Sequence, residues 1–168
     1  IRLGDKVKIP SKSVVFSNEW LDAQPFKRFR FNKKKRSWLE MGVTFKNNFF
    51  QELELPQSDV PINFPKVSAD GYTIDWPTGA YDALNSVASQ TWKGLFLTFD
   101  YGLSREIIFK ERPIGTARSY YKHQICKSLF TQVGKQDLTC HLCWDDLREC
   151  LHKKNFSEVK LETQESFL

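Results

Sequence analysis

The placement of glycine narrows what this chain can fold into more than any other feature. Gly4, Gly42, Gly71, Gly79, Gly94, Gly102, Gly115 and Gly134 are its only glycines in 168 residues, and no two lie closer than eight positions. A loop that wraps phosphates in backbone N–H groups needs glycines within a few residues of one another. Neither a Walker loop nor a G-x-G-x-x-G dinucleotide turn can be written on this sequence. Any nucleotide-like cofactor would need a cradle that these residues do not supply.

The length suits one domain, and fourteen Phe, five Trp and five Tyr carry enough apolar area for a substantial core. The formal charge of +5 is mild, and much of the excess sits in Lys33, Lys34, Lys35 and Arg36. One local basic turn is usually hydrated, so a nucleic-acid partner is not expected. No run approaches the roughly 20 apolar residues of a membrane span. The opening Ile1-Arg2-Leu3 lacks a starting Met and shows no signal peptide, so the chain is expected to begin inside a longer protein.

All four cysteines, Cys126, Cys140, Cys143 and Cys150, fall in the last third. That density does not suit a secreted disulfide scaffold, and an intracellular, reducing compartment is expected. Cys140-x-x-Cys143 with Cys150 and His152 offers four soft ligands to zinc. No second knuckle follows, however, and the cysteines read equally as packed free thiols. The expectation is no metal.

Along the chain, Val14-Val15-Phe16 reads as a strand ending in polar residues. Phe26 to Phe45 alternates at period two as a hairpin, with Asn32 to Arg36 as its exposed tip. Pro56, Pro61, Pro65 and Pro77 mark residues 56–77 as a surface loop. Pro77-Thr78 opens a helix of about three turns whose apolar stripe is Ala80, Ala83, Leu84 and Val87. Leu95 to Phe99 is a continuous apolar strand, expected to be buried on both faces. Tyr121 to Phe130 reads as helical, Leu138 to Leu142 as extended, Trp144, Leu147 and Leu151 as a helix, and Val159 to Leu161 as a closing strand. The alternation predicts an α/β fold interrupted early by an antiparallel excursion.

In open α/β sheets, ligands sit beyond the carboxyl ends of the strands. Two polar clusters occupy such positions. In Ser17-Asn18-Glu19-Trp20-Leu21-Asp22, Glu19 and Asp22 are three apart, so one helical turn would aim both carboxylates the same way. Paired carboxylates suit a general base or a clamp on a guanidinium. The same residues also read as a helix cap followed by first-turn acids. Asp100-Tyr101-Gly102 places an acid, an aromatic and a glycine free to take positive φ at a strand end, which suits a pocket lip or a plain turn. His141 sits in a polar stretch with no Ser or Cys nucleophile paired to it.

These clusters also carry a family resemblance. Ser17 through Pro25 resembles the "NE-x-x-DALP" signature of the MidA-like methyltransferases, a family that includes the mitochondrial arginine methyltransferase of respiratory complex I assembly. Gly94 through Gly102 is similar to its "G-x-x-x-x-x-DYG", and Gly115 through His123 to its "GTLR-x-Y-x-x-H". Gly134 through His141 is similar to "G-x-x-D-[LI]-T-A-H", and Thr163-Gln164 with Phe167-Leu168 to "TQ-x-x-FL". The match runs from about Val14 to Leu168, five motifs in order. Gln24 stands where Leu is usual, and Cys140 and Cys143 depart from the family's Ala and polar residue.

The resemblance implies the C-terminal part of a Rossmann-like class I methyltransferase sheet with an inserted antiparallel hairpin. Residues 1–168 would be a partial domain, 26–70 a substrate-side insertion, and the cofactor-loop portion absent. It implies S-adenosyl-L-methionine as cofactor, used by the complete parent protein, and protein arginine N-methylation as the activity, with this chain alone inactive. Glu19 and Asp22 would be catalytic, Ser17 and Asn18 cofactor-binding, and Asp100, Tyr101 and His141 substrate-binding. The implied partner is a protein substrate such as a respiratory complex I subunit, in the mitochondrial matrix of a eukaryote or the cytoplasm of a bacterium. The alternative is a non-catalytic protein-interaction module descended from such an enzyme.

Overall fold

Val14, Val15 and Phe16 favour extended backbone, and they lie at the middle of strand β1 (Lys12–Asn18). The computed structural model describes residues 7–57, 59–154 and 156–168. The opening tripeptide and Gly4 lie outside them. Glu19, with a left-handed φ of 46°, ends β1.

An antiparallel excursion follows, formed by β2 (Lys27–Asn32), β3 (Ser37–Lys46), β4 (Phe49–Glu54) and β5 (Thr73–Trp76) in the order β4-β3-β2-β5. The expected hairpin is β2 and β3, and Lys33 to Arg36 form its exposed tip. The expectation of a loop across 56–77 fails at β5. Those four residues are fully buried and pair with β2, Phe29 opposite Ile74. A partner more than 40 positions away overrides what the flanking prolines suggest.

Helix α1 (Thr78–Ala88) starts after Pro77 and buries Ala80, Leu84 and Ala88. It leads into β6 (Lys93–Phe99), which runs parallel to β1 with Val14 opposite Leu95 and Ser17 opposite Thr98. Strand, helix and parallel strand thus form one unit into which the four-stranded sheet is inserted. Burial on both faces of β6 does not occur. Leu95 is 52% exposed, beside Val14 at 72% and Phe16 at 60%, because among the described residues nothing else covers that end of the two-stranded sheet.

The rest is built from short pieces: β7 (Gly102–Leu103), α2 (Arg105–Lys110), β8 (Arg118–Tyr121), β9 (Gln124–Ile125), β10 (Asp137–Thr139), β11 (Leu142–Cys143), α3 (Trp144–Lys153) and α4 (Gln164–Phe167). The helix expected over Tyr121 to Phe130 is absent. Lys122 and His123 adopt positive φ (50° and 61°) and turn β8 back onto β9, so one apolar i,i+4 pair did not suffice. Leu138 to Leu142 is split between β10, antiparallel to β8, and β11, parallel to β7. Val159 to Leu161 forms no strand.

Two apolar clusters hold these layers together. One packs Phe29, Phe31, Trp38, Phe64, Ile74 and Trp76 of the excursion against Ile108 of α2, with edge-on ring contacts such as Phe29–Phe64 at 5.2 Å between centroids. The other gathers Leu21, Ala80, Leu84, Leu142 and Leu147. Leu21 anchors the segment after β1, so the second core positions the polar residues described next.

Candidate functional site

Three connections converge at the carboxyl ends of β1 and β6: residues 19–24, residues 100–101 and residues 140–141. Cys140 N donates to Asp22 O at 2.8 Å, Leu142 N to Tyr101 O at 2.9 Å, and Glu19 N to Phe99 O at 2.8 Å. Asp100 organises them. Its Oδ2 accepts Trp20 N (3.2 Å) and Leu21 N (2.9 Å), and its Oδ1 accepts Asp22 N (3.3 Å) and Tyr101 N (2.9 Å). Four amides hold this carboxylate, so it shapes the loop around it.

Glu19 and Asp22 do not share a helical turn. Glu19 sits at positive φ, and a tight turn over 21–24 follows, closed by Gln24 N on Leu21 O at 3.2 Å. A non-glycine residue in that backbone region is uncommon and costs energy that the Asp100 amide contacts offset. The two carboxylates are nevertheless near neighbours of opposite exposure. Glu19 is exposed and accepts the Tyr101 hydroxyl at 3.1 Å. Asp22 is 3% exposed, and its buried Oδ1 has no hydrogen-bond partner among the described residues. Burial first, then the charge and contact of Asp100 and the charge of Glu19, raise the Asp22 carboxyl to about 6.

Of the other expected site residues, Ser17 spends its hydroxyl on Thr98 Oγ1 at 2.8 Å, while Asn18 is exposed at the strand end. Tyr101 is 54% exposed. His141 lies in the same connection as Cys140 but is not brought to the carboxylates. Its half-buried imidazole is held below its usual pKa by burial and by Arg118 and Arg112, and its buried Nδ1 has no partner among the described residues. Gly102 does not use the positive φ expected of it. A Cβ there would stand 2.5 Å from the Trp144 ring, so its smallness is what matters.

Reading the sequence for sites missed Asp75. This carboxylate is buried in β5, paired with Arg28, and its Oδ2 accepts Thr116 N and Ala117 N at 2.8 Å each. A Cβ on Gly115, whose φ is 78°, would meet that oxygen at 2.2 Å. The Gly115-Thr116-Ala117 stretch is therefore a backbone cradle for Asp75. The one signal was a charged residue inside the apolar run Tyr72 to Trp76.

The four cysteines are free thiols, with Cys140 and Cys143 buried. Burial raises both, Cys143 to about 12. Among the described residues no group of three or more His, Cys, Asp or Glu side chains is arranged to hold a metal, and no helix is long and apolar enough to cross a membrane.

Residues 3–161 match the family described as "Putative S-adenosyl-L-methionine-dependent methyltransferase". Two solved structures from Burkholderia thailandensis, members of one superfamily, resemble the chain. An uncharacterized protein is 24% identical with a TM-score of 0.74, the match covering 88% of this chain and 41% of that one. A second protein, bound to S-adenosyl-homocysteine, is 23% identical with a TM-score of 0.72, covering 88% and 39%. At these identities the likeness is one of fold, a mixed α/β arrangement with several sheets, and the chain spans about two fifths of either structure's length. No curated protein matches it.

Proposed function

The chain belongs to this methyltransferase family, and from that premise we propose that it forms the acceptor side of a protein methyltransferase that modifies arginine. The parallel pair β1–β6 joined through α1 would then be part of a Rossmann-like sheet. A respiratory complex I subunit, met in a mitochondrial matrix or a bacterial cytoplasm, is the substrate that the motif resemblance favours.

The residues at the strand ends fit S-adenosyl-L-methionine in the sign of their charge. Its sulfonium and ammonium groups are cationic, and Glu19, Asp22 and Asp100 gather acid where β1 and β6 end. Asn18 is exposed there and free to meet the cofactor, whereas Ser17 is engaged with Thr98. When bound, the cofactor supplies an electrophilic methyl group.

The observation that carries the acceptor reading is the buried Asp22 Oδ1, which no donor among the described residues satisfies. A buried acceptor without a donor is costly, and a guanidinium N–H completes it. Glu19, steadied by Tyr101, offers the second carboxylate. Two carboxylates on one guanidinium orient its plane and concentrate electron density on the nitrogen left free, the positioning that methyl transfer needs. With a pKa near 6, Asp22 is ionised at neutral pH yet basic enough to take the proton the methylated nitrogen sheds.

The test is methyl transfer by the full-length protein from methyl-labelled S-adenosyl-L-methionine to arginine-containing peptides, followed by acid hydrolysis. Label in methylarginine is expected. Label in methyl-lysine or in a base-labile ester overturns the arginine assignment, and no transfer at all favours the interaction-module alternative.

A further inference from the structure

Arg112 and Arg118 are half-buried, and among the described residues neither guanidinium forms an ion pair. Arg112 Nη1 reaches only the Glu111 carbonyl at 3.4 Å, and Arg118 Nη1 only the Ala117 carbonyl at 2.8 Å. Partial burial of a cation without a counter-charge is unfavourable. Each guanidinium carries five donors, so most remain uncommitted.

Both arginines are held by rigid backbone. Arg118 opens β8 and stands opposite Thr139 of β10, two residues before His141. Arg112 N donates to the Tyr72 hydroxyl at 3.0 Å, and that hydroxyl donates to Ile108 O at 3.0 Å. Burial first, then both arginine charges, lower the pKa of the His141 imidazole, and its buried Nδ1 has no partner among the described residues. His141 is also one residue from Cys140, whose N–H is bonded to Asp22 O. His141 is thus one peptide link from the backbone contact that holds Asp22.

We propose that Arg112, Arg118 and His141 form an oxyanion subsite that takes a carboxylate side chain of the methyl-acceptor protein, close in sequence to the modified arginine. The planar fork of a guanidinium matches a carboxylate bidentately, and the site's own acids would repel that carboxylate from the guanidinium clamp. The assignment rests on the protein-acceptor reading above and selects among substrates by charge.

Two measurements test it. Glutarate is titrated into the labelled chain while arginine Nε–H and histidine ring signals are followed, with sodium phosphate and sodium chloride at matched ionic strength as comparisons. Saturable shifts at Arg112, Arg118 and His141 are expected with glutarate, weakened roughly tenfold or more in R112Q and in R118Q. Shifts reproduced by chloride, unchanged in both variants, or produced by phosphate alone overturn the proposal. The full-length protein is then given arginine peptides flanked by Glu or by Gln. A lower KM for the Glu peptide at similar kcat, lost in R118Q, is expected, and a preference that survives R118Q overturns the substrate source. If neither peptide is methylated, the arginine reading fails while the glutarate titration still decides whether the subsite exists.

Discussion

Arg28 and Asp75, opposite each other on β2 and β5, meet as a fork on a carboxylate: Nε to Oδ1 at 2.7 Å and Nη2 to Oδ2 at 3.1 Å. The Asp75 side chain is sealed from solvent, and Glu52 binds Arg28 Nη1 at 2.8 Å. Because Asp75 also accepts the Thr116 and Ala117 amides, this pair fastens the antiparallel sheet to the segment that leads into β8.

Replacing Asp75 with Asn removes the charge and turns one acceptor into a donor facing either Arg28 or the two amides. Breaking a buried pair on one side costs about 3–5 kcal/mol. Urea denaturation of D75N is expected to show a loss of that order. A loss under about 1 kcal/mol would mean that the cradle is not a stabilising contact.

Gly115→Ala tests the same cradle from its other wall. The added methyl would overlap Asp75 Oδ2 at 2.2 Å, and the backbone is in the left-handed region at φ 78°. Steric overlap and strained backbone both act against alanine, so the loss is expected to exceed the roughly 1 kcal/mol of the backbone effect alone. Gly134→Ala is the control, with a similar φ of 79° and nothing within 4 Å of the added atom. If the two variants lose equal stability, the close approach to Asp75 contributes nothing.

Elements whose signal is local were legible before the structure: β1 from its β-branched run, the β2–β3 hairpin from its alternation, α1 and α3 from their apolar periodicity. β5 was not, because its strand character comes from β2, and neither was the burial of Asp75, because its counter-charge lies 47 positions away. The grouping of Glu19, Asp22, Asp100 and Tyr101 followed from the rule that parallel strands carry function at their carboxyl ends. The positive φ of Glu19 did not, since it arises from amide contacts to Asp100 across about 80 positions. The place of His141 beside the carboxylates comes from the motif resemblance alone, whereas its imidazole bears on arginines contributed by other segments.

Thiol reactivity should follow burial. Cys140 and Cys143 are fully enclosed, with thiols raised by desolvation, while Cys126 and Cys150 are only half-buried. Thiolate is the reactive form. Iodoacetamide on the native protein, read by peptide mass mapping, is expected to label Cys126 and Cys150 first and to reach Cys140 and Cys143 only on unfolding. Early alkylation of Cys140 would show that the segment beside Asp22 opens readily.

Asp22 should make stability and activity depend on pH in linked ways. Its carboxyl titrates near 6 in the fold against an ordinary value of 3.8. The fold therefore favours the protonated form: the stabilisation this gives is complete below about pH 4 and is lost as pH rises through 6. In D22N, where the group cannot ionise, that loss disappears. The stability of D22N relative to the native protein should rise between pH 4 and 6 and level off above, by roughly 1–3 kcal/mol. The same substitution removes the proposed proton acceptor, so methyl transfer by the full-length protein should fall by roughly 10²–10⁴-fold, and E19Q should also reduce turnover sharply. Tyr101→Phe, which takes only a 3.1 Å support from Glu19, should cost much less. A D22N protein that gains stability above pH 6 yet keeps full activity would assign Asp22 to folding alone and move the acceptor chemistry elsewhere.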